Sequence, residues 1–125
     1  MEVAIRSEEE GQREENEVRI TTSGKVHNYL RYATTLLNEK KINTIKLSAA
    51  GSAINKCISV VEILKRQVPQ LHQWNLVDSR EVPSNKNGLY GTSSRHVSCL
   101  SVVLSRSSNI YPQTDEHGYQ APQSQ

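Results

Sequence analysis

The chain contains no phenylalanine, one tryptophan, one methionine and two cysteines in 125 residues. Trp74 and the five tyrosines do not fall at RNP-like spacing, so a platform on which single-stranded bases stack has little support. There is no Cys-x-x-Cys pair, no His-Glu-x-x-His motif and no Walker loop. His27, His72, His96 and His117 lack metal-ligand spacing to any cysteine or acid, and neither a metal nor a cofactor is expected. Glu39, Glu62, Asp78 and Glu81 lie on separate elements or at a strand end, and no nucleophile has a base and an orienting third group beside it. Intrinsic catalysis is not expected. No apolar run reaches the roughly 18–20 residues of a membrane span. The first residues are acidic rather than apolar, unlike a secretory leader. Cys57 falls on the apolar stripe of a helix and Cys99 in an apolar strand, the setting of buried free thiols in a reducing compartment.

What the chain does have is an uneven charge. The overall balance is +2, but residues 1–17 carry seven glutamates against Arg6 and Arg13, a net −5. Residues 18–106 carry 13 Lys and Arg against four acids, a net +9. Such a basic field attracts polyanions, with nucleic acid the leading one. The composition divides the chain into an acidic, disordered segment 1–16, a folded domain 17–106 and a polar tail 107–125 that docks through Tyr119. A domain of that size has a small core, so a partner is a natural source of stability.

Within the domain, Val18-Arg19-Ile20 alternates as a short strand over residues 17–22. Val26, Tyr29, Leu30, Ala33, Leu36 and Leu37 recur at three and four, one buried face of a helix opened by Ser23 or Gly24. Lys40 and Lys41 suit the carboxyl end of that helix. Residues 43–47 form a second strand, with Ile45 and Leu47 on one face and Thr44 and Lys46 on the other. A second helix covers residues 52–67, with Glu62 spaced to pair with Arg66, and stops before Pro69. A third strand over 70–79 places His72, Trp74 and Leu76 together, and an apolar fourth covers 97–104. Residues 80–95 between them read as a long polar hairpin loop carrying Arg80, Lys86 and Arg95. The order β-α-β-α-β-β predicts an α+β two-layer sandwich, two helices packed on a four-stranded sheet.

In that topology both helices begin at the same edge of the sheet. Lys25, His27, Asn28 and Arg31 follow the first helix start, and Gly51, Ser52, Asn55 and Lys56 surround the second. The small-residue turn Leu47-Ser48-Ala49-Ala50-Gly51 runs into a helix whose free N–H groups suit a phosphate. Together with Arg80, Lys86 and Arg95 these residues form a candidate RNA-binding set that recognises the backbone and shape of a stem. A protein-interaction module with an incidental basic surface accounts for the same composition.

The residues also carry a resemblance. Gly24-Lys25-Val26-x-Asn28, Leu47-Ser48-x-x-Gly51-x-Ala53-Ile54-x-Lys56 and Glu62-Ile63-Leu64-Lys65-Arg66 resemble the Alba superfamily, whose members are small dimeric nucleic-acid-binding proteins of this element order. The run from Glu62 through Pro69-x-Leu71-His72-Gln73 is similar to the larger, twenty-five-kilodalton Alba-type subunit of eukaryotic ribonuclease P and ribonuclease MRP. Arg95-His96-Val97, Val103-Leu104-Ser105-Arg106 and Gly118-Tyr119-Gln120-x-Pro122 extend that similarity. The resemblance implies an Alba-like sandwich and a noncatalytic subunit of a nuclear, nucleolar ribonucleoprotein that processes tRNA and rRNA precursors. It implies as partners a stem-loop of the catalytic RNA, a smaller Alba-type subunit in a heterodimer, and other proteins of the particle, with no membrane. A general Alba-type binder of DNA or messenger RNA is the alternative within the family. Lys25 and Lys56 match the family's lysines. Ser52 stands where arginine is common, and His27 where a basic residue is usual.

Overall fold

The computed structural model describes residues 16–84 and 93–123. The short alternating run at the start pairs as strand β1 (Glu17–Arg19), parallel to β2 (Thr44–Ala50), with Val18 opposite Leu47. Asn16, assigned to the tail by composition, already belongs to the fold: its carbonyl accepts from Lys46 N at 3.1 Å and its side chain donates to Thr44 O at 2.9 Å. The rest of the acidic segment lies outside the described residues.

Helix α1 (Val26–Thr34) continues as a π-helical turn, Thr35–Glu39. Thr35 Oγ1 donates back to Arg31 O at 2.9 Å, a local bond that competes with regular helix spacing. At the carboxyl end the Lys40 N–H donates to Thr35 O at 3.0 Å, and Arg106 reaches in from the end of the sheet. Its guanidinium donates to Leu37 O and Asn38 Oδ1, both at 3.0 Å, where the helix dipole favours a cation.

Strand β2 is longer than the sequence predicts, because Ser48, Ala49 and Ala50 are strand rather than turn. Small residues have weak strand preference, yet register with Ser101, Leu100 and Cys99 of β4 holds them in the sheet. After β2 a single 3-10 turn, Gly51–Ala53, precedes α2 (Ile54–Gln67). Strands β3 (His72–Ser84) and β4 (Ser93–Ser105) complete an antiparallel hairpin, and the sheet order is β1-β2-β4-β3. Much of the expected loop is thus strand. Polar residues suffice there because the far halves of β3 and β4 extend past the last β2 partner, Cys99, as a two-stranded ribbon. Six residues of ribbon reach roughly 20 Å.

Both helices cover one face of the sheet. Leu36, Leu37, Val60, Val61 and Leu64 meet Ile45, Leu47, Val102 and Leu104 in a continuous core. Cys57 lies within it, whereas Cys99, on the opposite face, is only half-buried. Trp74 is also on that opposite face, opposite Val103, and is fully buried by the C-terminal segment. Tyr119 packs on Trp74 (ring centroids 5.5 Å apart) and its hydroxyl lies 2.8 Å from His72 Nδ1. The indole N–H donates to Pro112 O at 3.2 Å. Gln120 exchanges two backbone bonds with Gln73 at the sheet edge. Lys65, buried, donates to Gln73 Oε1 at 2.5 Å and Gln120 Oε1 at 2.9 Å. Glu62 pairs with Lys65 at 3.4 Å instead of the expected Arg66.

Burial pushes the Cys57 thiol from 9.0 up to about 11. The unfolded chain therefore releases this proton first, and stability present in full below pH 9 is lost as the pH rises towards 11. Urea titrations followed by far-UV circular dichroism are expected to show wild-type stability falling faster than that of Cys57→Ala across this window, by up to about 1.4 kcal/mol per pH unit. Truncation after Arg106 is expected to uncover Trp74. Its emission should move to the red and become accessible to acrylamide quenching.

Candidate nucleic-acid interface

Parallel β1 and β2 both end at the same edge, so the segments leaving them start α1 and α2 side by side. One side chain ties the two starts together. Lys56, in the first turn of α2, donates to Thr22 O at 2.7 Å and Gly24 O at 2.5 Å, the carbonyls of the loop entering α1. Tyr29 secures the same loop from α1. Its hydroxyl accepts from Thr21 N at 2.9 Å, and it occupies the space a Cβ on Gly24 would need. On the α2 side, Gly51 has φ +58°, a left-handed conformation that turns the chain out of β2 and favours glycine. A Cβ built there would lie 3.5 Å from Val97 Cγ1, so the root of the ribbon rests against this turn.

Neither helix start has a side-chain cap, and neither first turn contains an acid, among the described residues. Lys25 is the N-cap of α1, extended and exposed, with its carbonyl accepting from Asn28 N (3.0 Å) and Tyr29 N (3.2 Å). His27, Asn28, Gly51, Ser52 and Asn55 are exposed around it. The structure thus brings together the starts of both helices. Arg31, one turn further on, is directed instead at His27 Nε2, 2.5 Å away. Both line a shallow depression with Glu39 and Gln67.

The ribbon arginines are exposed, and Arg80 and Arg95 occupy the same face of it, the face away from the helices. Lys86 lies outside the described residues. Arg80 opens onto a groove shared with Arg19 and Lys46, two cations absent from the sequence-based set. The outward position of Lys46 was readable from strand alternation. Its nearness to Arg80 needs the β2-β4-β3 order, which no local pattern reveals. The double tie made by Lys56 was equally hidden, since its acceptors are backbone carbonyls more than 30 residues earlier. No group of three or more potential metal ligands occurs among the described residues.

A mixed four-stranded sheet with two helices on one face and an uncapped, basic helix-start edge defines a small α+β domain suited to polyanions. Residues 16–81 match the Alba family. The DNA/RNA-binding protein ALBA1 of Plasmodium falciparum (isolate 3D7) is 32% identical over 116 residues, 87% of this chain and 45% of that protein. The ribonuclease P protein subunit p25-like protein of Homo sapiens is 35% identical over 113 residues, 85% of this chain and 68% of that protein. The chain therefore spans less than half the length of the first relative and about two thirds of the second. Alba from Thermoplasma volcanium has the same fold, with a TM-score of 0.62 at 23% identity over 72% of this chain and 99% of that one. The chain belongs to the Alba family of nucleic-acid-binding proteins.

Lys25 and Lys56 should separate under mutation. Lys56→Ala leaves two carbonyls without their charged donor and is expected to cost about 1–3 kcal/mol in urea unfolding. Lys25→Ala, at an exposed position with no side-chain bond to the cap, should stay within about 0.5 kcal/mol of wild type.

Proposed function

We propose that this chain is a noncatalytic RNA-binding subunit of the ribonuclease P/MRP type, which grips the backbone of a stem-loop. The observation that carries the reading is the Lys56 tie, which aligns two uncapped helix starts beside the exposed Lys25. Free N–H groups at the positive ends of two dipoles, with a cation between them, suit adjacent phosphates. Lys25, Asn28, Ser52 and Asn55 supply the donors at the edge, and Arg95 on the ribbon extends the contact along the stem. His27 and Arg31 hold one another, so their contribution is secondary. Lys56 acts through the geometry it imposes and has a third N–H left for phosphate. Gly51 provides the backbone turn that presents Ser52.

The similarity to p25-like subunits of ribonuclease P supports a particle of that kind, with a smaller Alba-type subunit as dimer partner and residence in the nucleus and nucleolus. A second reading, a general DNA/RNA-binding Alba protein, is favoured by the comparable similarity to the Plasmodium protein. Sequencing the RNA and identifying the proteins that co-purify with the tagged chain separates the two. Ribonuclease P or MRP RNA together with a second small Alba protein supports the first, and a broad messenger RNA population the second.

Backbone recognition also fixes a salt dependence. If three phosphates are neutralised, raising salt from 50 to 200 mM should weaken stem-loop binding about 20- to 40-fold. Lys25→Ala should weaken it at low salt and flatten the slope. An affinity that does not change with salt overturns the mechanism.

A further inference from the structure

The face of the sheet away from the helices holds a groove of about 430 Å³ that the helix-start interface does not include. Arg19 of β1, Lys46 of β2 and Arg80 of β3 line it, together with Thr21, Ser48 and Ser101. Among the described lining residues the acid is Glu17, whose carboxylate accepts from Ser48 Oγ at 3.0 Å and lies 3.7 Å from Arg19 Nε. Among the described residues of the lining, three cations stand against one carboxylate, a positive balance.

Its position matters as much as its charge. Thr21 stands in the loop entering α1, and Ala50, also lining the groove, immediately precedes the Gly51 turn into α2. The two segments that present the helix starts are therefore the near wall of this groove. A strand of nucleic acid leaving the helix-start edge over Thr21 and Ala50 enters the groove directly. No aromatic ring occurs among its described lining residues, so none of these stacks a base. Its volume is that of a small-ligand pocket, sized for a short single strand and too small for a duplex.

We infer that this groove is a second contact site, taking the phosphodiester backbone of a single strand that flanks the stem bound at the helix starts. Recognition there is electrostatic and hydroxyl-mediated, hence independent of sequence. This inference rests on the stem-binding reading proposed above.

Two probes test it on the full chain: one stem-loop with blunt ends, and the same stem-loop with a single-stranded oligouridine flank. The wild type is expected to bind the flanked RNA about tenfold more tightly, with a steeper salt slope by about 0.7 per additional phosphate neutralised. Lys46→Glu should abolish that gain while changing blunt stem-loop affinity less than twofold, and Lys46→Arg should keep the gain. Circular dichroism and Trp74 emission confirm that each variant is folded. A Lys46→Glu protein that retains the full gain overturns the groove. So does one that loses affinity for both probes equally, since that is a general charge effect. Failure of the wild type to bind the blunt probe overturns the stem-binding reading instead, a separate outcome.

Discussion

The ammonium of Lys56 holds the two helix starts in one arrangement by bonding to the carbonyls of Thr22 and Gly24. Parallel pairing of β1 with β2 places those starts at one edge, but pairing alone leaves a loop of several residues free between β1 and α1. The lysine removes that freedom, assisted by the Tyr29 hydroxyl at Thr21. A cation is well suited to this task. It satisfies carbonyl oxygens and occupies no helix N–H, whereas a Ser, Asp or Asn cap would. The fold is thus stabilised at this edge by a group that adds positive charge to the surface an anion approaches.

The same economy appears at the far edge. Strand β3 is the last strand of the sheet, and an unpaired edge invites association with another chain. Here Gln120 pairs with Gln73, Lys65 joins both glutamine side chains from the helix side, and Tyr119 seals Trp74 from the other. The C-terminal segment wraps the edge with one side chain to each face. Burying the Lys65 ammonium is tolerable because two amide oxygens and Glu62 surround it. The segment is accordingly part of the fold, although its composition is that of a tail.

Which features were legible in the sequence follows from the range of the interactions that make them. Helix stripes such as Val60, Val61 and Leu64 are local, and both helices, the element order and the two-layer architecture were readable from periodicity. Strand ends were not. Ala49 and Ala50 look like a turn until Leu100 and Cys99 are placed opposite them, and residues 80–84 look like a loop until paired with 93–97. The helix-start residues could be grouped from topology alone, because parallel strands force both starts to one edge. Arg31 was grouped with them from sequence proximity. It lies a full turn along the helix from His27, and its guanidinium is 2.5 Å from His27 Nε2. The nearness of Arg19 and Lys46 to Arg80 was not legible, because a sheet face is assembled from strands far apart in the chain.

The distribution of charge then bears on how the surface works. Ser52 and His27 stand where the family resemblance leads one to expect basic residues, so the helix-start edge depends on few cations: Lys25, exposed, and Lys56, already engaged. An interface thinned at that edge gains most from charges placed beside it. Arg19, Lys46 and Arg80 lie on the adjoining sheet face, and Arg95 lies on the ribbon. Coulomb attraction at these separations is partly screened at physiological salt, so each added cation acts mainly on phosphates within about 8 Å. A ligand that stays at the edge feels little of the groove, whereas one that bends around the Thr21–Ala50 wall meets both sets. On the proposed reading the basic path runs from the helix-start edge into the groove, and such a path favours RNA whose backbone turns or frays over a straight duplex.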